Sequence, residues 1–185
     1  MNAQDHSTPG DNNRALVVGG TGMLAGVVEA LAARGWQVAV LARGPTRLDA
    51  LASLPGVTPL RADYTDAKAF ADAVRSVLPV DVVVAWVHST APEAPQQLAS
   101  LVTGLADSVD FYHVQGSAAG RAPGDDEIAS VPGVAYRRVV LGFVVDAGRS
   151  RWLTDQEISQ GVLEAIDRRA SWHVVGQLEP WSQRP

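Results

Sequence analysis

Cysteine is absent from the 185 residues, which excludes disulfides, a thiolate nucleophile and cysteine-ligated metal, and no metal site is expected. Lysine occurs once, as Lys68. Long hydrophobic runs are missing too: the longest, around Val82 to Val87 and Val139 to Val145, fall far short of the ~20 residues that span a bilayer. Basic charge is in deficit, with Lys and Arg at 15 against 20 for Asp and Glu, a formal net charge of −5 and an isoelectric point near 5.3. Nucleic acid or an anionic membrane would require a basic patch, so neither is an expected partner. Residues Met1 to Asn13 are polar and lack the apolar core of a signal peptide. The expectation is a flexible tail over 1–13, a single domain over 14–185 and a cytoplasmic setting. A hydrophobic content of 46%, with Gly 17 and Pro 11, suits an ordinary globular α/β chain.

The informative stretch is Arg14-Ala-Leu-Val-Val-Gly-Gly-Thr-Gly-Met-Leu-Ala-Gly26. Ala15 to Val18 has the length and composition of a strand buried on both faces. Gly19, Gly20 and Gly22 allow a tight turn in which no Cβ keeps a phosphate from the backbone. A helix beginning near Met23 would aim its free N–H groups and positive dipole end at a pyrophosphate. The spacing Gly20-x-Gly22-x-x-Ala25 matches the dinucleotide fingerprint, with strand before and helix after. Gly19, Gly20, Thr21, Gly22, Met23 and Leu24 are therefore the candidate cofactor contacts. The alternative is a glycine-rich turn that binds nothing.

The same residues resemble the nucleotide-binding turn of the short-chain dehydrogenase/reductase family, in its G-x-x-G-x-x-[GA] form, through Gly19, Gly22 and Ala25. The resemblance covers roughly the first two thirds of the chain. The alternation of apolar runs and helical patterns predicts an α/β fold, a Rossmann-like doubly wound, mostly parallel sheet of six to seven strands with helices on both faces.

Trp36 to Ala42 reads as the second strand, followed by Arg43 and then Arg47. An acidic residue there would hold the ribose 2′-OH of NAD, whereas a guanidinium pairs with the 2′-phosphate, so NADP is the preferred cofactor unless these arginines are merely solvated. The resemblance puts Asp63, after the third strand, against the adenine; its other reading is a turn residue. Thr65 or Asp66 caps the next helix, with Phe70, Val74, Val77 and Leu78 on one face. Val82 to His88 is the best central strand, but Ala85-Trp-Val-His-Ser-Thr90 replaces the family's Asn-Ala-Gly. His88 then ends the strand as a candidate proton donor near the cofactor, or as a structural histidine.

Pro92 and Pro95 open a helix whose apolar stripe runs through Leu98, Leu101, Val102, Leu105 and Val109. Phe111 to Gly116 reads as the fifth strand, and Ser117 occupies the position of the family's catalytic serine, although Gly-Ser-Ala-Ala-Gly is also a turn sequence. There the resemblance fails: the family's Tyr-x-x-x-Lys pair is missing. Tyr64 and Lys68 have its spacing but lie in an earlier element, and Gly120, Pro123, Gly124, Pro132 and Gly133 punctuate the segment where the catalytic helix would stand. Val134 to Val145 reads as one long strand or two short ones, of open orientation. Tyr136, Arg137 and Arg138 either reach a ligand or face solvent on an edge. Thr154-Asp-Gln-Glu157 is a capping box with Leu153 and Ile158 as its staple. Trp172 to Val175 supplies a last strand, and the tail around Trp181 is expected to dock on the protein or on a partner subunit.

The expected function is an NADP-dependent oxidoreductase acting on a small carbonyl-like or imine-like substrate. Its non-standard proton donor would be His88, Ser117 or a tyrosine, Tyr112 or Tyr136. The alternative is an inactive NADP-binding regulatory or scaffold protein, and a non-redox enzyme on the same fold is a third reading. So little chain lies between the fifth strand and the final helix that a substrate pocket must be shallow or completed by another subunit of a homo-oligomer.

Overall fold

Apolar residues occupy both faces of the first strand, β1 (Arg14–Val18): Ala15 and Val17 join one helical layer's core, Leu16 and Val18 the other. Only a strand in the middle of a two-sided sheet needs this pattern. In the computed structural model, which describes residues 13–104, 108–121 and 126–185, it is central. There follow α1 (Ala25–Ala33), β2 (Gln37–Ala42), α2 (Pro45–Ala52), β3 (Val57–Arg61), α3 (Ala67–Arg75), β4 (Val82–Trp86), α4 (Ala94–Val102) and β5 (Val109–Gly116). A 3-10 turn (Ser117–Arg121), the short α5 (Asp126–Ala129), β6 (Val134–Leu141), β7 (Phe143–Asp146), β8 (Arg149–Trp152), α6 (Asp155–Asp167), β9 (Trp172–Val175) and a 3-10 turn (Trp181–Gln183) complete the chain.

Seven strands form one parallel sheet in the order β3-β2-β1-β4-β5-β6-β9, while β7 and β8 make a separate antiparallel hairpin. The expected doubly wound fold is present. One face is covered by α1 (Val27, Val28, Leu31), α2 (Leu48, Leu51) and α6 (Ile158, Val162, Ala165). The other is covered by α3 (Phe70, Val74), α4 (Leu98, Val102) and Ile128 of α5. The order reverses at the β1–β4 pair, so the crevice beyond the carboxyl ends of these two strands is where such a sheet binds ligands.

The local signals place most elements. Asp66 caps α3 by accepting the N–H groups of Lys68 and Ala69, and the capping box of Thr154 and Glu157 opens α6. Two readings need correction, and a third that stood open is decided. The first helix starts at Ala25 rather than Met23. Val109 is the first residue of β5 and not the end of a helical stripe, because α4 stops at Val102; Leu105 lies outside the described residues. The run from Val134 to Val145 divides at Gly142 into β6 and β7, and β6 is an interior parallel strand between β5 and β9. Its arginines are consequently not edge protection. Arg138 is buried, donating to Gln115 and to the Ala119 carbonyl with its guanidinium over Trp172, and Arg137 pairs with Asp110 at 2.6 Å.

The hairpin is tied to the start of α6. Arg151 forks onto Glu157 through two 2.8 Å bonds, and Thr154 also donates to that carboxylate. The Arg151 bond, then the Thr154 backbone bond, hold the Glu157 carboxyl down at about 2. Since the folded value lies below the ordinary one, the stabilisation is complete above the unfolded value and is lost as pH falls through the window from 4.5 to about 2. Thermal unfolding followed through that window should show this acid sensitivity, and Glu157→Gln should remove that share of it. An identical acid profile in the variant would contradict the assignment.

Candidate functional site

Five consecutive parallel strands bring their carboxyl ends to one edge of the sheet. Gly19 follows β1, Arg43 follows β2, Asp63 lies just past β3, His88 just past β4, and Ser117 follows β5. The three glycines of the first turn are required for different reasons. Gly19 has φ +78°, and a Cβ on it would lie 2.6 Å from the Trp86 carbonyl oxygen, so the turn crosses the end of β4 at backbone contact. A Cβ on Gly20 would meet Val40 at 2.9 Å and Val17 at 3.0 Å in the core below. Above Gly22 there is open space: a Cβ there meets nothing within 4 Å.

The backbone amides of this turn lie beside that space. Among the described residues, those of Thr21, Gly22 and Met23 donate to no acceptor, and Leu24 caps α1 without a side-chain bond. Unpartnered donors at the start of a helix, with no side chain above them, fit the pyrophosphate of a dinucleotide. Gly26 and Ser159 extend the construction and carry no signal in the sequence. A Cβ on Gly26 would lie 2.9 Å from Ser159, whose hydroxyl donates to the Met23 carbonyl at 2.8 Å, fastening the turn to α6.

At the next two strand ends, Arg43 is 62% exposed, 3.8 Å from Asp63 and with its guanidinium 5.8 Å from the centre of the Tyr64 ring. Arg47 is exposed on α2. The Asp63 carboxylate accepts the backbone N–H of Thr65 at 2.9 Å and its hydroxyl at 2.8 Å, and these bonds hold its pKa below the usual carboxylate value. Asp63 thus closes a turn whatever else it contacts. Tyr64 is the residue that joins the strand ends: it lies under Arg43, and its hydroxyl accepts the exposed His88 N–H at 3.4 Å. Lys68, by contrast, is 88% exposed on α3 and paired with Asp72.

The candidate proton donors separate. Ser117 is buried at the end of β5, and its hydroxyl accepts a bond of 2.9 Å from Arg184. Tyr136 stands in the amino half of β6, opposite Phe111, with its hydroxyl 3.1 Å from His113 Nδ1, which places it five register positions before the Gly116 end. Tyr112 is fully buried against α6, its hydroxyl donating to the Ile166 carbonyl, and burial pushes its pKa up to about 12. His88 and Ser117 are at the carboxyl edge of the sheet; the two tyrosines are not. Between Gly116 and Val134 the described residues form only a 3-10 turn and the four-residue α5, so a long helix after β5 is absent among them.

Residues 19–115, just over half of the chain, match the model of the NAD(P)H-binding family. The chain belongs to that family. The matched span runs from the glycine turn almost to the end of β5 and includes the sheet edge just described except for Ser117. No curated protein sequence matches the chain. Among solved structures, it resembles BdcA in complex with NADPH, at 16% identity over 90% of this chain and 93% of that one, with a TM-score of 0.67. A bulky-bulky ketone specific alcohol dehydrogenase from Comamonas testosteroni aligns at 18% identity over 92% and 88% of the two chains, with a TM-score of 0.68. A short-chain dehydrogenase from Sphingobium yanoikuyae in complex with NADPH aligns at 20% identity over 88% and 87%, with a TM-score of 0.64. These likenesses establish a common fold, the one implied by Gly19, Gly22 and Ala25. No helix among the described residues is long and apolar enough to cross a membrane.

Proposed function

We propose that this NAD(P)H-binding protein is an NADP-dependent oxidoreductase acting on a small carbonyl-like or imine-like substrate. The observation that carries the reading is the open turn, with the amides of Thr21, Gly22 and Met23 free beneath a side-chain-free Gly22, followed at the next strand end by Arg43. The amides bind the pyrophosphate, and Arg43 pairs with the 2′-phosphate. When bound, the nicotinamide supplies the hydride. What remains for the protein is to orient the substrate and to place a hydrogen-bond donor and a proton at its reacting oxygen or nitrogen. Ser117 and His88, past the ends of the adjacent strands β5 and β4, take those roles in place of Tyr-x-x-x-Lys. The cysteine-free, acidic sequence supports a cytoplasmic setting.

The cofactor preference is tested by calorimetry. Arg43→Ala should weaken NADPH by about 1.5–3 kcal/mol, the range for a hydrogen bond to a charged group, and leave NADH nearly unchanged. Equal affinities for the two cofactors before and after the change would refute the NADP preference. Turnover is tested by NADPH consumption with aldehydes, ketones, imines and quinones. The short 3-10 turn and four-residue α5, with no long helix among the described residues after β5, favour a second reading, a binding protein without turnover. Tight NADPH binding with no consumption across the panel would decide for it.

A further inference from the structure

We propose that Arg184, held by two tryptophans and Ser117, is a receptor for a carboxylate on the substrate, at the carboxyl end of β5. The proposal rests on the oxidoreductase reading for the role of that substrate.

Residues 176–185 form a strap that is built into the protein. Phe143 and Gln177 exchange backbone bonds of 3.0 and 2.9 Å, and a Cβ on Gly120 would lie 2.6 Å from Leu178, so the strap lies against both β7 and the turn after Ser117. The Gln177 amide donates to the Glu179 carbonyl, the Glu179 carboxylate accepts the Trp181 N–H, and the Arg184 N–H returns to the Trp181 carbonyl. These bonds deliver the Arg184 side chain to the site. Its guanidinium stands 5.0 Å from the ring centres of both Trp152 and Trp181, and its Nε donates to Ser117 at 2.9 Å.

This arginine differs from the paired ones. Arg34, Arg137 and Arg151 each meet a carboxylate, whereas among the described residues Arg184 has no acidic partner within 4.0 Å. Its terminal N–H groups make no bond among those residues. The two rings and the Ser117 bond restrict the rotamers of this exposed side chain, so part of the rotamer entropy of binding is already spent. A guanidinium edge is shaped for the two oxygens of a carboxylate, and one positive charge matches one negative charge. Because Ser117 accepts from Arg184, its own O–H remains to donate to a neighbouring substrate oxygen. A substrate whose carboxylate is adjacent to the group being reduced would engage both residues at once.

Two probes of the same skeleton isolate the charge: phenylpyruvate, and 1-phenylpropan-2-one, in which a methyl replaces the carboxylate. Tryptophan fluorescence titrations, run with and without NADP+, should show phenylpyruvate binding about tenfold or more tightly. Arg184→Gln should erase that preference while leaving NADP+ affinity and circular dichroism as in the wild type, and Arg184→Lys should restore part of it. Equal binding of the two probes by the wild type, or a preference that survives Arg184→Gln, would overturn the proposal. A preference that depends on Arg184 in a protein that binds no NADP(H) would keep the carboxylate site and reject the oxidoreductase reading.

Discussion

Gly22→Val should abolish NADPH binding in calorimetry and leave thermal unfolding close to that of the wild type. The expectation comes from where the missing Cβ would point. At Gly22 it meets nothing within 4 Å, so the fold has no objection to a side chain there. The branches of valine would instead stand over the Thr21, Gly22 and Met23 amides, in the space a pyrophosphate must enter. Gly19→Ala is the contrasting control. At φ +78° with the Trp86 carbonyl oxygen 2.6 Å from the added carbon, it should impair folding before binding is even measured. If Gly22→Val unfolds in the same way, Gly22 serves packing and the cradle is elsewhere.

His88→Gln should lower turnover ~10²-fold or more with NADPH affinity intact, the usual loss when a positioned acid or base is removed. Glutamine retains hydrogen bonding but cannot carry a proton across the reaction. The His88 side chain is exposed, and its backbone N–H is held by Tyr64, so the substitution should cost little stability. Lys68→Ala should change turnover hardly at all, since Lys68 is 88% exposed and engaged with Asp72 on α3. An unchanged rate and pH profile in the His88 variant would remove it from the mechanism, and a large loss in the Lys68 variant would place the active site at another edge of the molecule.

The sequence by itself determined the strand, turn and helix of residues 14–26, the capped starts of α3 and α6, and the alternation of elements that leads to a parallel sheet. Each of these is a local property: glycine spacing, side-chain capping and apolar periodicity act within a few residues. It also determined that no lysine follows the fifth strand, so the Tyr-x-x-x-Lys pair has no counterpart where the resembling family places it. Tertiary structure decided what depends on partners far along the chain. Val134 to Leu141 has the composition of a strand in any setting, and only its pairing with β5 and β9 made it interior and converted Arg137 and Arg138 from surface charges into a half-buried and a buried donor. Only register separates the candidates Tyr136 and Ser117, by putting the first in the amino half of β6 and the second just past the carboxyl end of β5. Tyr64 gained its place between Arg43 and His88 from three strands ending together, and Arg184 reaches Ser117 across 67 residues of sequence. Such contacts leave no periodicity or spacing in the sequence, because they are formed by the closing of the sheet edge and not by neighbours in the chain.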